Sequence, residues 1–104
     1  MTIVVNALTT SANAIYSSAG NTAVTSLTLC NYSSSNVTAN LFVVPNSSSP
    51  STNNIMLANL LIQSNDTYQI YAAAEKLLLG PGDAIYANAQ TSGTITAITS
   101  YTSI

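Results

Sequence analysis

The sequence predicts an all-β fold, a single two-sheet β-sandwich of about eight short strands spanning residues 1–104. Three observations predict it. β-branched and aromatic residues gather in short runs, with Gly, Pro, Asn and Ser between them. The cleanest run alternates with a period of two, Val37, Ala39, Leu41 and Val43 sharing one face. The length, 104 residues, allows one domain with a real core and leaves no room for a second. Strand spacing leaves an immunoglobulin-like and a jelly-roll connection equally open.

Residues 3–8 open the chain as an apolar strand. Residues 1–9 are either an arm that joins a neighbour's sheet edge or an edge strand of this domain. Residues 12–16 follow after a polar break, and 17–21 form a turn. Residues 22–31 make a clear strand with Leu27 and Leu29 on one face, and 32–36 a loop. Residues 37–44 put Val37, Ala39, Leu41 and Val43 toward the core and Phe42 and Val44 on the opposite face. Pro45 ends this strand. Residues 46–54, the longest polar stretch, read as an exposed loop. Residues 55–62 are long enough for a helix but sit among strands, and read as one. A turn at 64–66 leads to a strand at 67–72. Residues 72–78 are locally helix-prone and suit a single turn on a crossing connection. Gly80-Pro81-Gly82-Asp83 is a tight turn. Strands at 84–90 and 94–104, joined around Ser92-Gly93, complete the chain.

Charge is the unusual feature. Only 4% of residues are charged, against roughly 25% in an ordinary soluble domain. They are Asp66, Glu75, Lys76 and Asp83, giving a formal net charge of -2. Little self-repulsion favours association, through apolar surface and neutral hydrogen bonds that salt barely weakens. A single basic residue argues against nucleic acid and anionic lipid as partners. The opening residues lack the positive region of a signal peptide, and no apolar run approaches the roughly 20 residues of a membrane span. Cys30 is the only cysteine; it reads as a buried structural thiol. The sequons at Asn31, Asn36, Asn46 and Asn65 read as chance in so Asn- and Ser-rich a chain.

Catalytic and metal-binding patterns are missing. The chain has no histidine, which excludes a His-based triad and a His-ligated metal. Asp66 and Asp83 read as turn caps, and no acidic cluster suits calcium. Gly80-Pro81-Gly82 lacks the Lys-Ser or Lys-Thr of a phosphate loop, and a Ser dyad with Lys76 has no supporting motif. No enzyme activity, catalytic residue, cofactor or metal is expected. Tyrosine is the enriched aromatic: Tyr16, Tyr32, Tyr68, Tyr71, Tyr86 and Tyr101. Five fall in or beside strands and read as core or interface; Tyr32 is the candidate for an exposed contact. The candidate protein-contact residues are Ile3, Val4, Val5, Leu8, Tyr32, Phe42 and Val44.

Three stretches carry a resemblance: residues 23–31 (AVTSLTLCN), 37–45 (VTANLFVVP) and 79–87 (LGPGDAIYA). Together they resemble a group of small β-sandwich structural proteins of tailed bacteriophages and prophages, of the cyanophage type, over most of the chain from about residue 22. The resemblance implies a non-catalytic virion protein, made in the host cytoplasm and mounted on the outer surface of the particle. Its leading form is a capsid decoration, or cement, protein bound to the major capsid protein as a homotrimer. A tail, neck, baseplate or fibre component bound to other virion proteins is the nearest alternative. A carbohydrate-binding module for host attachment, built on Tyr32 or the 46–54 loop, is the alternative of a different class.

Overall fold

A computed structural model describes residues 2–70 and 76–104. It is all-β, with the strands β1 (Thr2–Ala7), β2 (Asn13–Ser17), β3 (Thr22–Asn31), β4 (Val37–Val44), β5 (Ile55–Ile62), β6 (Thr67–Ile70), β7 (Leu77–Leu79), β8 (Ala84–Ala89) and β9 (Ile95–Ser103). One sheet has the order β1-β9-β3-β6, with β7 also on β3; the other has the order β2-β8-β4-β5. Every pairing is antiparallel.

The pairing resolves the connection left open by strand spacing. β1 pairs with β9, β2 with β8, β3 with β6 and β7, and β4 with β5. The chain is thus one long hairpin, turned back between β4 and β5 and rolled into two sheets, which is the jelly roll. β6 and β7 share a single position: β6 pairs with Leu27 to Cys30 and β7 with Thr22 to Val24, end to end along the same side of β3. Among the described residues, nine segments therefore fill eight strand places.

Alternation drives this arrangement. In β4, Val37, Ala39 and Leu41 are buried while Thr38, Asn40 and Phe42 are only half-buried. In β3, Leu27 and Leu29 turn inward, and in β9 Ile95, Ala97 and Thr99 do the same. Large residues of one sheet (Val24, Leu27, Leu29, Ile95) meet a mixture of large and small ones from the other (Leu41, Ile85, Ala39, Ala87, Ala89) in one core. That interdigitation is how a sandwich reaches interior packing density.

Neutral hydrogen bonds tie the sheets. Asn31, fully buried at the end of β3, donates from Nδ2 to Ile62 O of β5 at 2.9 Å. Asn6 of β1 donates across to Ile15 O of β2 at 2.9 Å. At the opposite end of the sandwich from Asn31, Asp83 accepts from Gly80 N and Asn46 N, both at 2.9 Å, the capping role its turn position predicts.

Three expectations are corrected. Leu77 and Leu78 lie in a strand on β3, not in a helical turn, because pairing and the burial of the adjoining Leu79 outweigh local helix propensity; residues 72–75 of that segment lie outside the described residues. Cys30 is half-exposed, since inward Leu29 and Asn31 leave it on the outer face. Val44 is buried and Val43 only half-buried, so strict alternation fails in the last residues of β4.

Candidate protein-contact surface

The candidate contact residues separate by strand parity. In β1, Ile3 and Val5 project outward and are 66% and 62% exposed, whereas Val4 is half-buried. Leu8, of the same parity as Val4, is buried in the core cluster, and its N–H donates to Ile95 O at 2.9 Å. It offers nothing to a partner. Val44 is buried too, opposite Ala84 and beside the Asn46–Asp83 tie that closes this end, and is likewise unavailable. Phe42 lies on the outer face of its sheet between Ile55 and Tyr86 and is half-covered within the monomer. Tyr32 is 56% exposed, but its hydroxyl is engaged, donating to Gly93 O.

Ile98 joins the surface without having been singled out from sequence. It sits directly opposite Val5 in the β1–β9 pair and is 37% exposed. Its signal was present: with Ile95 and Ala97 inward, a period of two turns Ile98 outward. Ile3, Val5 and Ile98 form an apolar stripe on the outer face of the larger sheet. Across that face run Ser100, Thr96, Thr28, Ser26 and Cys30, all uncharged. The described charged residues, Asp66, Lys76 and Asp83, all lie outside strands, so no charge interrupts either sheet face among the described residues.

Tyr32 and the 46–54 loop do not converge. Tyr32 follows the end of β3 that meets the start of β4, while residues 46–54 follow the end of β4. Eight residues of strand separate them, about 25 Å at the usual rise. Each would have to act alone as a sugar site.

Among the described residues, no group of three or more His, Cys, Asp or Glu is placed to hold a metal, and no helix is long and apolar enough to cross a membrane. No protein-family model, no curated protein and no solved structure matches the chain.

Proposed function

We propose that this chain is a structural subunit of a larger protein assembly, and specifically a decoration protein on the outer shell of a bacteriophage capsid, bound to the major capsid protein. The observation that carries the reading is the stripe of Ile3, Val5 and Ile98 on an uncharged sheet face. Apolar surface of this kind is stabilised by burial at about 25 cal/mol per Å². A neutral surround removes both the steering and the repulsion that charge would bring. A modest contact of each copy becomes durable when many copies act together. Jelly rolls serve viral capsids and lectins alike, so the fold supports the reading without choosing it.

The test is to mix the purified protein with capsids that lack it and to image the product by electron microscopy. Regular density over the shell, with greater resistance to heat, is the expected result, and the same images show whether the copies stand as trimers. Bare shells overturn decoration. Density confined to one vertex or to the tail moves the protein to the neck, tail, baseplate or fibre.

A further inference from the structure

The two sheets present edges of unequal quality. β2 is interrupted by a register shift at Ile15, whose carbonyl is already taken by Asn6. β5 carries two register shifts and a positive φ of 51° at Asn59. Among the described residues, β6 and β7 run for 4 and 3 residues. Bulges, interruptions and short lengths are the means by which proteins prevent sheet edges from pairing. β1 has none of them. Its 6 residues pair with β9 without a shift and include no Pro, Gly or charged side chain.

The hydrogen bonds fix which way the β1 backbone points. Leu8 N donates to Ile95 O, so the even-numbered residues of β1 direct their N–H and C=O groups toward β9. The other side of β9 agrees: Tyr32 N donates to Thr94 O, so even-numbered β9 residues face β3 and odd-numbered ones face β1. The backbone groups of Ile3, Val5 and Ala7 therefore point to the open edge. No turn, loop or side-chain bond among the described residues reaches them.

We infer that β1 is a self-pairing edge whose occupant is β1 of a second copy, antiparallel, with Val5 on the two-fold axis. This deepens, and rests on, the association reading above. Val5 then faces Val5 and Ile3 faces Ala7, and every outward backbone group of these residues meets its complement, because each such pair exchanges both N–H···O bonds. The same placement brings the Val5 side chains side by side, with Ile98 of each copy next to them, and joins the two apolar stripes into one continuous patch on the outer face, which stays open to the shell. No charge lies on either strand to repel its copy. The contact is isologous and closes on itself, so it joins subunits in pairs and leaves any three-fold contact to other surfaces. One strand edge about 20 Å long falls at the small end of protein interfaces, which places the affinity at about micromolar or weaker.

The experiment is sedimentation velocity on the full chain from about 10 to 500 µM, the range that affinity demands. It is run beside Val5→Pro, and beside Val5→Cys and Ile104→Cys in a Cys30→Ser background. Proline at position 5 removes an N–H that points away from β9, so the fold, checked by circular dichroism, is retained. The expected result is a concentration-dependent dimer for the native chain and a monomer throughout for Val5→Pro. Mild oxidation is expected to cross-link Val5→Cys much faster than Ile104→Cys, because Cα atoms about 5.5 Å apart suit a disulfide. A native chain that stays monomeric at the top concentration overturns the inference, as does an undiminished Val5→Pro dimer. If Val5→Pro unfolds, the cross-linking comparison decides, and equal rates overturn it. No capsid is present, so a monomer here leaves shell binding intact, and bare shells in the capsid experiment leave this pairing intact.

Discussion

Replacing Asn31 by alanine removes a buried side chain that makes four hydrogen bonds. Asn31 is fully buried. Its Nδ2 donates to Ser35 O at 2.8 Å and to Ile62 O at 2.9 Å, and its Oδ1 accepts from Ser33 N at 3.0 Å and Ser33 Oγ at 2.7 Å. The four bonds are not equal in what their loss costs. Ser33 and Ser35 lie in an exposed loop, where water replaces the amide at little penalty. Ile62 O belongs to a buried residue in the facing sheet, and a buried group left unpaired costs about 1–3 kcal/mol. Loosening the 32–36 loop adds about 1 kcal/mol, for a total of about 2–4 kcal/mol. That is a large part of the 5–15 kcal/mol typical of a domain. At roughly 4–8 °C per kcal/mol, Tm falls by at least about 8 °C.

The assay is thermal unfolding followed by circular dichroism, with urea titration as the second measure. Asn31→Asp sharpens it. The carboxylate has the amide's shape but faces two carbonyl oxygens with no donor, so at neutral pH this variant is less stable than Asn31→Ala. Burial raises the pKa of the new carboxyl in the folded state above its unfolded value. The folded state then holds the proton at pH values where the unfolded state has lost it, so the variant regains stability as pH falls through the folded pKa. A Tm for Asn31→Ala within about 2 °C of the native chain, well below the fall worked above, would refute the cross-sheet tie.

Other substitutions isolate single terms. Thr99 Oγ1 is buried without a hydrogen-bond partner among the described residues, so Thr99→Val, which keeps the shape and removes the hydroxyl, is expected to stabilise by about 1 kcal/mol; a lower Tm would show that the hydroxyl is satisfied. The glycines form a graded series read by the same melts. Gly20→Ala meets open space and is near neutral, and Gly93→Ala meets open space at φ 77° and costs about 1 kcal/mol. Gly82→Ala combines φ 84° with a Cβ that would collide with the Asn46 side chain and costs most, about 2–3 kcal/mol; equal Tm values across the three would remove the conformational argument.

Strand positions were legible because the signal is local: runs such as 22–31 and 37–44 declare themselves by residue type and period. The sandwich followed from counting such runs. Which strand pairs with which was not legible, because the partners lie far apart in the chain; Thr25 Oγ1, for example, donates to Ser100 O at 3.1 Å. The jelly roll therefore emerged only with the pairing. Within the candidate surface, parity was available but underused. Ile3 and Val5 share one face and Val4 and Leu8 the other, so grouping all four as contacts mixed surface with core. Val44 fails for a different reason: alternation holds along a paired strand but loosens at its end, here against Pro45 and the loop that Asp83 draws in.

The neutral construction of the molecule leads to a prediction about salt. Where an ordinary domain presents ion pairs, this one presents amide and hydroxyl bonds: Asn40 Nδ2 to Asn88 Oδ1 at 3.0 Å and Asn59 N to Asn40 Oδ1 at 2.8 Å on one outer face, and Thr25 to Ser100 on the other. Screening acts on charges and leaves such bonds alone. Between 20 mM and 1 M NaCl the screening length contracts from beyond 20 Å to about 3 Å. A fold held together by surface ion pairs loses stability over that interval, whereas this one is expected to keep its Tm within about 2 °C, since there is little attraction to screen. Sodium chloride is the salt to use, because sulfate strengthens apolar burial and would mask a loss. The direction of any change is diagnostic. A Tm that falls with NaCl would mean that the few charges contribute attraction unseen in the described residues, and would remove the basis for treating neutral bonding as the organising feature of both the fold and its contacts.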